Sequence, residues 1–115
     1  MLSIMPPEDV VKAIRDGIAT LKSRSWSRTL IVKKLDGKKK AYGEYIPLRY
    51  CINAEEALPY LFDLSVFGYS IYYVEMQYQF PGYAIEIVVG QSKDGSTNID
   101  ADVIEAISDF FTIEV

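Results

Sequence analysis

Histidine is absent from this chain, and cysteine occurs once, at Cys51. The first absence excludes every Ser-His and Cys-His nucleophile pair within the sequence and every zinc site that needs imidazole. It also removes the usual proton carrier near neutral pH. A lone thiol cannot staple a fold, and with no base beside it Cys51 has little thiolate, so neither an oxidising compartment nor a cysteine nucleophile is expected. There is no CxxC pair and no glycine-rich phosphate loop. No window approaches the roughly 18 apolar residues that cross a bilayer. The opening Met1-Leu2-Ser3-Ile4-Met5-Pro6-Pro7 lacks the basic and apolar regions of a secretory leader. These absences predict a cytoplasmic protein with no cofactor, no metal and no membrane partner, and not an enzyme.

What is present is globular: 50% of the 115 residues are hydrophobic and 24% charged, which suits a single domain spanning residues 1–115. Nine tyrosines bring ring area with a polar tip, a composition suited to half-exposed packing or an interface. The net charge of −4 conceals a separation. Residues 1–50 hold eleven Lys/Arg against five Asp/Glu, a net of +6, whereas residues 51–115 hold only Lys93 against eleven acids, a net of −10. Such asymmetry bears on partners rather than on fold.

Val10, Ile14, Ile18 and Leu21 repeat at helical spacing behind Pro6-Pro7 and the acidic pair Glu8-Asp9, which predicts a helix from about Pro7 to Lys22. Arg28 to Leu35 reads as a strand, and Asp36-Gly37 as a type I′ hairpin turn that sets Lys33 against Lys40 and Lys34 against Lys39. The return strand reaches Tyr45 or Ile46, and Leu48 to Ile52 is a possible further strand. Asn53 with Glu56 resembles a capping box for a second helix, which Pro59 should break or restart and Gly68 should end. Tyr69–Phe80 and Tyr83–Gln91 alternate about a Pro81-Gly82 turn. One face carries Tyr72, Val74, Met76, Tyr78, Phe80, Tyr83, Ile85, Ile87 and Val89; the other, with Glu75, Gln77, Ala84, Glu86 and Val88, is expected to face water. Asp100 can cap a last helix that buries Val103, Ile104, Ile107, Phe110 and Phe111.

The expected fold is α+β: a two-layer sandwich with an antiparallel sheet of four to five strands and helices in the order α-β-β-(β)-α-β-β-α. In element order, without any shared residue motif, this resembles the small acidic type III secretion chaperones. That resemblance implies a dimerising, partner-binding protein.

Two surfaces stand out. The second helix is apolar nearly all round, with Asp63 and Ser65 as its firmly polar residues from Ala57 to Phe67. Leu58, Leu61, Phe62 and Phe67 are therefore candidate dimer or partner contacts. Flanking helices that cover this one are the plainer reading. Lys33, Lys34, Lys38, Lys39 and Lys40, with Arg24, Trp26 and Arg28, form a basic, aromatic-flanked cluster suited to an acidic protein or single-stranded nucleic acid. The plainer reading there is a strand edge guarded against aggregation. Two weaker constellations remain. Glu75 and Glu86 are expected as diagonal neighbours, and Asp94, Ser96, Asn98, Asp102 and Glu105 partly match a calcium loop. That loop lacks its central glycine and reads better as turn and cap. The sequence thus favours a non-catalytic, homodimeric protein-interaction module with the basic hairpin as a second contact surface, and a nucleic-acid-binding module as the alternative.

Overall fold

The structure is a computed structural model that describes residues 4–24, 30–39, 45–47, 54–79 and 82–109, with side chains at 35–39, 45–47, 54–57 and 79 left aside. Trp26, Arg28, Lys40, Cys51, Asn53, Phe110 and Phe111 lie outside the described residues, as does the possible strand over 48–52.

The α+β class holds, with three helices and a mixed sheet in the order α1 (Pro7–Arg24), β1 (Leu30–Lys39), β2 (Tyr45–Pro47), α2 (Ala54–Val66), β3 (Tyr69–Gln79), β4 (Gly82–Gln91) and α3 (Ala101–Asp109). Proline at the first position of α1, where its missing N–H costs nothing, and acids in the first turn set its start. Its buried face is Val10, Ile14, Gly17 and Leu21. Gly17 has a packing reason: a Cβ there would meet Ile85 Cδ1 at 3.0 Å and Met76 Sδ at 3.4 Å, so the bare backbone brings α1 close to β3 and β4. Asp100 caps α3 by accepting from the Val103 N–H at 3.0 Å. α2 runs unbroken through Pro59, against the expected break. Pro59 is exposed, which leaves water free to satisfy the carbonyl whose partner the proline removes.

The sheet departs from the antiparallel expectation. Its order is β2-β1-β4-β3, with three long strands and the three-residue β2 at one edge. β4 pairs antiparallel with β3 but parallel with β1, from Leu30 opposite Ile85 to Lys34 opposite Val89. Parallel neighbours need a long crossover, and here α2 and β3 supply it. β4 becomes a central strand, and its apolar run is buried on both faces. Ala84, Glu86 and Val88 are therefore buried rather than turned to water. Val88 lies between Lys33 of β1 and Tyr73 of β3, and Glu86 between Ile31 and Glu75.

Asp36-Gly37 does not turn the chain either. β1 continues through both residues to Lys39, and β2 pairs with it at Leu35–Pro47 and Lys39–Tyr45, with a register shift between those pairs. A glycine inside a strand favours an irregularity of this kind as readily as a turn. Lys39 thus lies opposite Tyr45 and not opposite Lys34 as expected, and on the other side of β1 Lys33 and Lys34 lie opposite Val88 and Val89; the expected Lys33–Lys40 pair involves a residue outside the described ones.

In the β3–β4 hairpin Gly82 joins the strand and pairs with Gln79, which shifts the register by two residues and preserves the face of each side chain. A Pro-Gly type II turn would splay a two-residue hairpin, so the glycine is better used in the ladder. A bulge between Ile71 and Tyr73 then inserts Tyr72 as an extra residue. It hands Tyr72's expected core place to Ile71, which is fully buried. Residues of all three helices form one cluster with Leu30, Val32, Ile71, Ile85, Ile87 and Val89.

Asn98 ties the outer edge of the sheet to the rest of the chain. Its Oδ1 accepts from the Ile71 N–H at 2.7 Å, and its Nδ2 donates to Ile71 O at 2.9 Å and to Met5 O at 2.6 Å. The amide thus stands in for one residue of a neighbouring strand. Asn98→Ala would strand those groups in a buried place and lower stability by about 3 kcal/mol. Urea unfolding should show this as a reduced midpoint with an unchanged slope.

Candidate functional site

The C-terminal end of α2 forms the clearest candidate surface. Leu61 and Leu64 point into the core, and Leu58 packs half-buried against it. Phe62 and Val66, one turn apart, project outward with 56% and 78% of their surface accessible, followed by Phe67 at 69%. The local geometry explains why Phe67 cannot turn in. Gly68 adopts φ +77°, and a Cβ on it would lie 2.9 Å from the Gly95 carbonyl oxygen. Ser92 holds the Gly68 carbonyl with both its backbone N–H (3.1 Å) and its hydroxyl (2.8 Å). The chain therefore leaves the helix within two residues, and Phe67 is left on the rim. Of the four residues chosen from sequence, Phe62 and Phe67 share this surface, Leu58 borders it and Leu61 lies beneath it. Val66 was missed, although its four-residue spacing from Phe62 was the available signal.

The basic residues do not gather in one described patch. Lys33 and Lys34 leave β1 on opposite faces, as adjacent strand residues must. Lys33 Nζ pairs with Glu86 Oε2 at 2.8 Å, where the Glu86 side chain is only 3% accessible. Lys34 Nζ sits 4.9 Å from the centre of the Tyr69 ring. Arg24 is exposed at the end of α1 and has partners of its own. Lys38 and Lys39 close β1, and their side chains lie outside the description.

Glu75 and Glu86 sit directly across the ladder, not diagonally, because of the shifted register. Their carboxylates are committed elsewhere: Glu86 to Lys33, and Glu75 Oε1 to the Gln77 amide at 2.9 Å. In the former calcium-loop segment Asp94 Oδ1 accepts from the Ser96 N–H and hydroxyl, whereas Asn98 is turned to Ile71. Those Ser96 hydrogen bonds hold the Asp94 carboxyl below its ordinary range, so their stabilising effect is present above the ordinary aspartate pKa and fades as pH falls through the lowered value. On α1 the hydrogen bond and charge of Asp16 hold the Lys12 ammonium above its ordinary range; that contribution is full below the ordinary lysine pKa and is lost as pH rises past the raised one. Among the described residues no His/Cys/Asp/Glu group could hold a metal ion, and no helix is long and apolar enough to cross a membrane.

Comparison of the chain with protein-family models, with curated proteins and with solved structures gives no significant match. The likeness in element order to type III secretion chaperones therefore has no counterpart there, and the surfaces must speak through their own chemistry.

Lys33→Ala would leave the Glu86 carboxylate buried without its cation and lower stability by about 3 kcal/mol. The double variant Lys33→Met/Glu86→Leu should recover most of that loss, and chemical denaturation of the three proteins side by side checks both expectations.

Proposed function

We propose that this chain is a non-catalytic protein-interaction module that forms a homodimer through the apolar end of α2. The observation that carries this reading is the exposure of Phe62, Val66 and Phe67 within six residues at the end of α2. Large apolar side chains scattered singly over a surface need no explanation, but three together on one helix end mark a contact. Withdrawing each from water contributes on the order of 1–2 kcal/mol, and a two-fold arrangement counts each twice. The Leu61 and Leu64 pair beneath them anchors the helix, so the patch is presented on a rigid element.

The basic residues support the alternative less well. Lys33 and Lys34 make contacts inside the chain, which takes two cations away from any surface that would track a phosphate backbone. The lysine-rich end of β1 remains in this proposal as a second contact for an acidic protein partner.

Size-exclusion chromatography with light scattering should give a dimer mass at high micromolar concentration. Phe62→Asp combined with Phe67→Asp should give a folded monomer that loses only the concentration-dependent part of the wild-type stability, because both side chains are largely exposed in the single subunit. A wild-type protein that stays monomeric under those conditions contradicts the proposal.

A further inference from the structure

β3 is the outer strand of the sheet, and its free edge is guarded along only part of its length. At Ile71 the outward N–H and C=O are taken by Asn98, and Met5 N–H adds a bond to the same carbonyl at 3.2 Å. Beyond the bulge the pattern restarts from the hairpin. Gln79 and Gly82 bracket a two-residue loop and so bond each other, and alternation along the ladder then turns the backbone groups of Tyr78, Met76 and Val74 outward. Among the described residues these groups have no backbone partner on that side. None of the usual edge guards, a lysine or a proline, stands at those positions.

A groove runs beside the same stretch. α1 lies along β3, and the two flank an open cleft of about 220 Å³ whose lining includes Asp16, Gly17, Val74 and Met76. A second, of about 390 Å³, reaches Thr20, Arg24 and Tyr83, with Met76 common to both. The floor is apolar. The charges around it largely balance, since Asp16 at the groove is paired with Lys12 at 2.8 Å and Arg24 borders the second cavity, but Glu75 stands exposed on the edge strand itself. A second copy of this chain pairing edge to edge would bring its own Glu75 toward this one, whereas a lysine or arginine beside Glu75 on an added strand would complement it.

We propose that the β3 edge from Val74 to Tyr78 takes an extended segment of a partner protein as an added strand, with apolar side chains in the groove and lysine or arginine at the alternating positions beside Glu75. The backbone ladder supplies affinity, and the groove and Glu75 supply selectivity. The segment is about five residues long, roughly 17 Å. The Asn98–Met5 plug at Ile71 sets one end of it. This site is separate from the apolar end of α2, and either can hold while the other fails.

The test uses a fluorescein-labelled peptide of alternating isoleucine and lysine, read by fluorescence anisotropy against the full chain. Binding in the micromolar range is expected. Glu75→Lys should weaken it roughly tenfold, and Phe62→Asp/Phe67→Asp should leave it unchanged. Methylating the peptide's backbone nitrogens at alternate residues should abolish binding in one of the two possible phases, because an added strand needs those N–H groups. That control changes the probe and leaves the protein intact. No binding of the unmodified peptide, or binding indifferent to methylation in both phases, overturns the proposal. So does a Phe62→Asp/Phe67→Asp protein that remains dimeric until the peptide is added, since the edge would then belong to a second copy.

Discussion

The structure depends on the central place of β4. With β1 parallel on one side and β3 antiparallel on the other, its residues from Ala84 to Val89 are buried on both faces of the sheet. One face supplies Ile85, Ile87 and Val89 to the cluster shared with the helices. The other buries Glu86, and a carboxylate taken so far out of water needs a cation. Lys33 provides it from the neighbouring strand. The lysine that looked like part of a binding patch is thus a consequence of strand order.

The same order makes β3 an edge, and an edge exposes backbone groups that seek partners. The chain answers at one end with the Asn98 amide, which fixes the segment before α1, the start of β3 and the loop before α3 to one another. Serine hydroxyls extend the fastening: Ser70 donates to Ser96 O at 3.0 Å, and Ser92 to Gly68 O. The tight exit from α2 that this requires leaves Phe67 facing water beside Phe62 and Val66. Both proposed contact surfaces therefore follow from how the sheet is closed off, one at a helix end and one along an edge.

Much of this was legible in the sequence wherever a local rule operates alone. The spacing of Val10, Ile14 and Leu21 fixed the buried face of α1, and Asp100 caps α3 as its side chain suggests. Alternation correctly placed Ile85, Ile87 and Val89 on the face of β4 that joins the core. The failures share a cause, which is that strand order is decided between distant segments. Nothing local in Leu30–Lys34 distinguishes a parallel neighbour from an antiparallel one, so Ala84, Glu86 and Val88 were assigned to water. Asp36-Gly37 carries a strong turn signal, yet in place the glycine sits within a strand that continues to Lys39. For the apolar end of α2, composition named the helix. Only the packing separates Leu61, which is buried, from Phe62, which is not.

Amide hydrogen exchange of the free protein measures this arrangement most directly. If β4 is central and β3 is an edge, the amides from Ile85 to Val89 will exchange at the rate of global unfolding, whereas those of Val74, Met76 and Tyr78 will exchange much faster and that of Ile71, held by Asn98, will not. Equal protection of Val74, Met76 and Tyr78 with the β4 amides would contradict the account, because that edge would then already be paired.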